Sequence, residues 1–428
     1  MNTKTVNQMH KEYMFPCVSN YYSTPLAIQK GEGVYVYDWE GNKYLDFFGG
    51  ILTVSIGHCQ PEITKEMVDQ IQTLQHSSTL YPNYPMLMLA EKLAKITPGK
   101  LKKCFFTNSG TEANETAITT AQLHTGVREI IALRHSYHGR SPLAVGLTGN
   151  AAYRAVGTNI PGITHALSPY CFRCPLGTSY PKCGIGCAED IEELIKTTTP
   201  GKVAAFIAEP IQGVGGFVTP PKEYFQIAVG IVRKHGGLFI SDEVQTGFGR
   251  TGGKWFGIEH WGVEPDMMTF AKGLANGVPI GATIAAPEVA DSFKASTIST
   301  FGGNPVSMRA AVATLTYMEE HHLPDHVEKL GNYLNGKLLE LKDKYKLIGE
   351  VRGKGLMLGL ELVKEKKEPA VAEILNLFEN TKKRGLLIGK GGLYGNVVRI
   401  TPPMTVEKSQ IDQAVKVLDQ AFDEIRLP

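Results

Sequence analysis

The sequence has no long apolar run, little net charge and few cysteines. No stretch approaches the roughly 20 apolar residues of a membrane-spanning helix, and the first residues, MNTKTVNQMHKE, lack the apolar core of a signal peptide. Lysine and arginine number 44 against 42 acidic residues, so the net charge of +2 favours neither nucleic acid nor a membrane surface as partner. Seven cysteines in 428 residues are too few for a disulfide framework. We expect a soluble, cytoplasmic protein.

The middle of the chain alternates short apolar runs with helical patterns, which predicts an α/β fold with a mostly parallel central sheet. Residues 222–235 have apolar side chains at helical spacing and end at Gly236, as expected for a helix that joins two strands. The candidate strands are residues 103–107, 130–135, 203–208, 238–241 and 267–271.

The residue pattern changes after about residue 305, where long helical patterns rich in charged residues cover 308–321 and 326–345. A smaller α+β domain is the natural interpretation. Its predicted further elements are β-like runs at 356–363, 386–389 and 397–401 and a terminal helix over 406–426. We therefore expect an N-terminal arm over 1–54 that packs with the small domain, a large ligand-binding domain over 55–307 and the small domain over 308–428.

The segment NSGTEANE, residues 108–115, follows a predicted strand and precedes a helical pattern. Backbone N–H groups of Gly110 and Thr111 at a positive helix end would suit a phosphate. The same letters also fit an ordinary capped helix start. The motif alone leaves both interpretations open.

A second motif, FISDEVQTGFGRTG over 239–252, places Asp242 where a predicted strand ends, the edge at which parallel sheets bind ligands. Its glycines match a dinucleotide-binding fingerprint in spacing. We reject that interpretation because the acidic residue precedes the glycines and GGKWFG follows in place of an apolar helix.

Lys272, in FAKGLANGVPIG, also stands at the end of a predicted strand. Most lysines are solvated surface charges, but a desolvated amine in a ligand crevice loses its proton readily and can form a Schiff base. A phosphate site, a carboxylate for a ring nitrogen and an amine for an aldehyde together match pyridoxal phosphate (PLP).

From about Tyr21 onward the chain resembles the class III (ω-type) PLP-dependent aminotransferases of fold type I, most of all their alanine–glyoxylate branch. The likeness rests on DFFGGILTVSIGHCQP, AEPIQGVGG, DEVQTGFGR, AKG, TFGGNP and VRGKGLMLGLE. It implies a homodimer with shared active sites, possibly paired into a tetramer. It also implies that PLP is held by the large domain.

By this resemblance Lys272 and Asp242 are catalytic: the lysine forms the Schiff base and moves the proton at Cα, and the aspartate pairs with the pyridinium. Tyr137 and Val244 would stack on the two ring faces. The full cofactor-binding set implied is Ser109, Gly110, Thr111, Tyr137, Glu209, Asp242, Val244, Gln245, Lys272 and, from the neighbouring subunit, Thr300.

The resemblance also implies a substrate-binding set of Tyr21, Arg140 and Arg399. Arg399 matches the arginine for the α-carboxylate. Arg140 matches the distal-carboxylate arginine of 4-aminobutyrate enzymes, which departs from the alanine–glyoxylate pattern. Many ω-enzymes carry EPIQGE, whose glutamate can mask the α-carboxylate arginine, and here that position is Val214. Arg399 should therefore stay available, which favours small α-keto acids.

The predicted function is transfer of an amino group from alanine, β-alanine, β-aminoisobutyrate or 4-aminobutyrate to a keto acid such as glyoxylate or pyruvate. An aminomutase, racemase or decarboxylase would use the same lysine, aspartate and phosphate site, and a catalytically silent PLP-fold protein would keep the fold. These alternatives stay open at this point.

Four of the cysteines, Cys171, Cys174, Cys183 and Cys187, have the spacing C-x2-C-x8-C-x3-C. That spacing is compatible with tetrahedral zinc. Thiols in a loop rich in proline and glycine can also pack as small apolar groups, and we favour this second interpretation, with no metal site.

Overall fold

The computed structural model describes residues 1–18, 20–155, 157 and 160–425. Its strands are β1 (Ile28–Glu32), β2 (Tyr35–Asp38), β3 (Lys43–Asp46), β4 (Lys103–Thr107), β5 (Ile130–Leu133), β6 (Ile163–Ala166), β7 (Ala205–Ala208), β8 (Leu238–Asp242), β9 (Met267–Phe270), β10 (Gly281–Ala285), β11 (Ile348–Lys354), β12 (Met357–Leu362), β13 (Leu386–Leu387), β14 (Gly389–Gly391) and β15 (Val397–Ile400).

The α-helices are α1 (Thr3–Tyr13), α2 (Gly49–Leu52), α3 (Pro61–Thr73), α4 (Tyr84–Ile96), α5 (Gly110–Thr125), α6 (Pro142–Leu147), α7 (Gly186–Thr198), α8 (Tyr224–Lys234), α9 (Pro287–Ala290), α10 (Pro305–Glu320), α11 (Leu323–Lys344), α12 (Val371–Lys383) and α13 (Lys408–Asp423). None of the helices described is both long enough and apolar enough to cross a lipid bilayer. The predicted end of the terminal helix at residue 426 lies outside the described residues.

The central sheet has the strand order β4-β10-β9-β8-β7-β5-β6. Strands β6, β5, β7, β8 and β9 run parallel, and β10 is antiparallel to both of its neighbours. Every residue of β5, β7 and β9 is buried, as expected when helices cover both faces of a parallel sheet. The α/β prediction with a mostly parallel sheet is confirmed.

Helix α8 is the crossover predicted between β7 and β8. It buries Tyr224, Phe225, Ala228, Val229 and Val232, which form the apolar stripe of the sequence pattern. The chain then turns at Gly236, whose φ of 78° is a left-handed conformation that glycine adopts without strain. This turn sends β8 back into the sheet, with Asp242 as its last residue.

Two smaller sheets complete the fold. Strands β11, β12, β15 and β14 form an antiparallel sheet near the C-terminus. The N-terminal strands form the order β1-β2-β3-β13, in which β3 pairs in parallel with β13 through Leu45–Leu386 and Asp46–Leu387. The N-terminal strands thus contact the C-terminal part of the chain, although the domain boundaries at residues 54 and 307 stay a prediction.

Candidate active site

A cavity of about 370 Å³ opens at the carboxyl edge of the central sheet. Glu209 follows β7 directly, Asp242 ends β8 and Lys272 comes two residues after β9. Parallel strands bring these positions to one edge, the place where such sheets bind ligands. All but three of the predicted site residues line this cavity: Ser109, Gly110, Thr111, Tyr137, Arg140, Glu209, Asp242, Val244, Gln245 and Lys272.

The N-terminus of α5 forms one wall of the cavity, with Gly110 and Thr111 in its first turn. Ser109 caps the helix by accepting a hydrogen bond from the backbone N–H of Glu112, and the Glu112 carboxylate accepts one from the N–H of Asn108 at 2.8 Å. The capped helix start that the motif predicts is therefore present, and it lies in the wall of the cavity. A Cβ at position 110 would lie 3.1 Å from Val244 Cγ2, so the close approach favours glycine.

Asp242 is buried and held through both carboxylate oxygens. Its Oδ2 accepts hydrogen bonds from Asn114 Nδ2 at 2.9 Å and from His138 Nδ1 at 2.7 Å, and its Oδ1 accepts one from the N–H of Val244 at 3.1 Å. Asn114 is in turn fixed by Thr269, whose hydroxyl donates to its Oδ1 at 2.7 Å. These three hydrogen bonds hold the carboxylate in one orientation.

Sequence analysis missed His138 and Asn114. Both are buried, and both lie inside motifs already quoted, His138 beside Tyr137 in SYHG and Asn114 within NSGTEANE. For Asn114 the available signal was a polar residue at a helix position where a core residue is expected. The partner that each one satisfies, Asp242, is more than a hundred residues away along the chain.

Lys272 has a φ of 45°, a left-handed conformation that a side-chain-bearing residue rarely adopts. Such strain persists where the surrounding structure enforces it, often at functional sites. Desolvation lowers the pKa of its amine, opposed by the charges of Asp242 and Glu209, and the charge of Arg399 lowers it further. The amine is therefore more readily deprotonated than that of a surface lysine.

Glu209 is buried beside this amine. Its Oε1 accepts a hydrogen bond from the N–H of Tyr137 at 2.9 Å and its Oε2 accepts one from the N–H of Gly213 at 2.8 Å. Burial raises its pKa to about 7, against the opposing effect of His138. Nearby, Gln245 Oε1 is buried without a hydrogen-bond partner among the described residues, a polar atom that a ligand would satisfy.

Arg399 lies beside the cavity rather than in its wall. The residue is buried in β15, and its Nε donates to the Lys390 carbonyl at 2.9 Å, while its Nη1 has no hydrogen-bond partner among the residues described. Its guanidinium lies 4.9 Å from the ring centre of Phe48, on which Tyr21 also packs at 5.9 Å. Tyr21 therefore reaches the surroundings of Arg399.

Val214 is a close neighbour of Arg399. A Cβ placed on Gly391 would lie 2.9 Å from Arg399 Cδ and 3.2 Å from the Val214 carbonyl oxygen, so both residues flank the same glycine. Val214 is buried, and its carbonyl accepts a hydrogen bond from Gly392 at 2.9 Å. The backbone of Val214 therefore lies close to the Arg399 side chain.

Thr300 does not reach the main cavity within one chain. It is exposed and lines a separate pocket together with Asn108 and Glu112. A further aromatic residue that sequence analysis missed, Tyr153, packs edge-on against Tyr137 with ring centres 5.0 Å apart. No motif in the sequence pointed to Tyr153.

The family profile described as "Aminotransferase class-III" matches residues 18–422. The chain belongs to the class III aminotransferases. It is 44% identical over 419 residues to "Alanine--glyoxylate aminotransferase 2 homolog 2, mitochondrial" of Arabidopsis thaliana, covering 97% of this chain and 86% of the relative. The human protein "Alanine--glyoxylate aminotransferase 2, mitochondrial" is 38% identical, and the match covers 97% of this chain and 86% of the human protein.

Two further matches bear on the chemistry of this aminotransferase. "Leucine/methionine racemase" of Thermococcus litoralis is 38% identical over 96% of this chain and 94% of the relative. A PLP-bound amine transaminase from an uncultivated Pseudomonas species has a TM-score of 0.89 and 30% identity, covering 96% of this chain and 98% of that chain. The family and fold predictions are confirmed.

The cofactor of this aminotransferase is PLP. The cavity fits that group: it combines an anion site at a helix N-terminus, a buried carboxylate, a desolvated amine and the unpartnered Gln245 Oε1. The prediction of a PLP site at this edge of the sheet therefore agrees with the chemistry of the residues present.

Proposed function

We propose that this aminotransferase moves the amino group of a small amino acid, of the alanine, β-alanine, β-aminoisobutyrate or 4-aminobutyrate type, to glyoxylate or pyruvate. The observation that carries the proposal is Arg399, whose buried Nη1 has no partner among the described residues and so remains available for a carboxylate. The names of the plant and human relatives support the same substrate class.

The cavity residues would hold the cofactor as follows. The N-terminus of α5, with Ser109, Gly110 and Thr111, would hold its phosphate. Tyr137 and Val244 would contact the two faces of its ring, and Gln245 and Glu209 would lie at the ring hydroxyl. When bound, PLP supplies an electron-withdrawing ring that stabilises negative charge developing at the substrate Cα.

Lys272 and Asp242 would carry the chemistry. The Lys272 amine would hold the cofactor aldehyde and, once displaced by the substrate amine, would take the proton from Cα, a role that its lowered pKa favours. Asp242, which accepts hydrogen bonds from Asn114 at 2.9 Å and from His138 at 2.7 Å, would keep the ring nitrogen protonated. Arg399 would orient the α-carboxylate so that the Cα–H bond faces the lysine.

Arg140 and Tyr21 would complete the substrate site. Arg140 is exposed at the cavity wall, where its guanidinium can meet a distal carboxylate at the entrance. Tyr21 packs on Phe48, the ring that also lies under Arg399. The arm over residues 1–54 would thus contribute to substrate binding.

The assembly we propose is a homodimer in which Thr300 of one subunit completes the phosphate site of the other. The surroundings of Thr300 support this, because Ile298 and Phe301 are 53% and 62% exposed, as expected of side chains awaiting a partner. Pairing of dimers into a tetramer and a cytoplasmic location belong to the same proposal. The location is supported by the cysteine content, although the plant and human relatives are named mitochondrial.

A donor–acceptor panel tests the substrate proposal. Each of the four donors is combined with glyoxylate, pyruvate or 2-oxoglutarate, and the specificity constants are compared. We expect glyoxylate or pyruvate to be the best acceptor with at least one donor. Activity confined to 2-oxoglutarate would contradict the proposal.

Racemisation is the second candidate, favoured by the 38% identity to the leucine/methionine racemase. It would use the same lysine and carboxylate, so geometry does not separate the two reactions. A single L-amino acid is incubated with the PLP-loaded enzyme without any keto acid. Stoichiometric conversion of the cofactor to its aminated form supports transfer, whereas catalytic formation of the D-enantiomer supports racemisation.

A further inference from the structure

Four cysteines surround one small cavity on the surface of the large domain. Cys171, Cys174, Cys183 and Cys187 all line it, and its volume is about 20 Å³, close to the room that one water molecule needs. Across the described residues, no group of three or more His, Cys, Asp or Glu side chains is placed to hold a metal ion. All four thiols are free and therefore available for thiol chemistry.

Cys171 and Cys174 are placed on one face of a tight turn. Residues Cys171–Arg173 form a single 3₁₀ turn, and Cys174 is its C-terminal cap. Side chains three residues apart eclipse each other in a 3₁₀ helix. The first and last cysteine of the C-x-x-C motif therefore lie on the same side of the turn, and both Cys183 and Cys174 are near enough to Cys171 to affect its ionisation.

The turn is anchored at both ends to the C-terminal sheet. Tyr170, just before it, and Arg173, within it, both donate hydrogen bonds to the buried carboxylate of Glu361 in β12. Arg352 contacts the same carboxylate and donates to the Tyr170 hydroxyl at 3.1 Å. These hydrogen bonds tie residues 170 and 173, at the two ends of the turn, to the C-terminal sheet.

The two thiols differ in their surroundings. Partial burial opposes ionisation of Cys174, but its sulfur accepts from the Thr178 hydroxyl at 3.5 Å and from the N–H groups of Leu176, Gly177 and Thr178, and the net effect lowers its pKa. Burial raises the pKa of Cys171, as do the neighbouring thiols. Because the thiolate is the nucleophile, Cys174 is the more reactive of the pair.

We propose that the segment 171–187 is an oxidation site, in which Cys174 reacts with hydroperoxide and Cys171 closes a disulfide with it. In the first step the Cys174 thiolate attacks a peroxide oxygen: an S–O bond forms, the O–O bond breaks, and the hydroxide released takes up a proton. The sulfur is oxidised by two electrons and the peroxide is reduced. In the second step the Cys171 sulfur attacks Cys174: the S–S bond forms, the S–O bond breaks, and water leaves with the thiol proton.

The test exposes the full-length, PLP-loaded enzyme to a limiting dose of hydrogen peroxide and maps its cysteines by peptide mass spectrometry. We expect a Cys171–Cys174 disulfide in the wild type and, in the Cys171→Ser variant with dimedone present, a trapped sulfenic acid at Cys174. Cys59→Ser is the matched control, because Cys59 is exposed and outside the cluster, and it should behave as the wild type. We expect Cys174 to react at least ~10-fold faster than Cys17 or Cys59.

Three outcomes would overturn the proposal. The first is oxidation of Cys17 or Cys59 as fast as that of Cys174. The second is a disulfide of Cys174 with Cys183 or Cys187 in place of Cys171. The third is a purified enzyme that holds stoichiometric zinc and whose thiols react only after a chelator removes the metal. The thiol mapping does not depend on amino-acid turnover. Its result can therefore contradict the oxidation site without contradicting the proposed function, and the reverse.

Discussion

Replacing Val214 by glutamate should turn Arg399 away from substrates. Val214 and Arg399 flank the same glycine, within 3.2 Å and 2.9 Å of the place where its Cβ would stand, and both are buried. A carboxylate at 214 would occupy the free Nη1 of Arg399, and a charge-assisted hydrogen bond of this kind contributes about 1.5–3 kcal/mol. A substrate carboxylate must displace it, so the KM for glyoxylate and pyruvate should rise about 10- to 100-fold.

The assay compares steady-state constants of the wild type, Val214→Glu and the matched control Val214→Gln. The glutamine has the same shape without the charge, so it should change the KM far less. The specificity ratio of alanine to 4-aminobutyrate should fall in the glutamate variant, because an ω-amine donor does not place a carboxylate at Arg399 when it reacts. PLP uptake by both variants is checked first. Equal KM values in the two variants, or an unchanged donor ratio, would show that a carboxylate at position 214 does not compete for Arg399.

Three further predictions concern Asp242, Lys272 and the buried ion pair of Arg352 with Glu361. Asp242→Asn keeps the shape of the side chain but removes its charge. It should lower the rate constant for Cα–H transfer at least ~100-fold in single-turnover measurements; a change below tenfold would contradict the proposed pairing of Asp242 with the ring nitrogen. Since desolvation lowers the pKa of Lys272, PLP uptake by the apoenzyme, followed by absorbance, should rise with pH and level off well below 10.5; a midpoint at the ordinary lysine value would contradict this. Arg352 pairs with both Glu361 and Glu350. Glu361→Gln should leave buried Arg352 with only the partly exposed Glu350 as its anion, and should lower the free energy of unfolding by about 3–5 kcal/mol in denaturant titrations. Glu350→Gln, whose side chain is 26% exposed against 0% for Glu361, should cost less than about 1 kcal/mol; equal effects would show that burial is not the cause.

Much of the central sheet is visible in the sequence because its strands are short, apolar and bounded by turns. The strand predicted over 103–107 agrees with β4, and the helix predicted over 222–235 agrees with α8 to within two residues at each end. The run 386–389, predicted as one strand, is divided into β13 and β14. The two pieces pair with different partners, β3 and β15, and such long-range pairing leaves no mark on the local pattern.

The candidate site, like the sheet, is only partly predictable from the sequence. The motifs around Gly110, Asp242 and Lys272 are predictable because each stands at or just after the end of a strand, and parallel strands bring their ends together. His138 and Tyr153 were missed because their importance comes from contacts with Asp242 and Tyr137 that only the folded chain creates. Thr300 is a different case, since one chain alone does not carry it to the cavity.

Chemical trapping of the cofactor tests whether Lys272 holds PLP. The PLP-loaded enzyme is reduced with borohydride, digested and analysed by mass spectrometry, beside the Lys272→Ala variant. We expect the phosphopyridoxyl mass on Lys272, and we expect the variant to lack both the label and turnover. A label on another lysine, or a variant that keeps full turnover, would contradict this expectation.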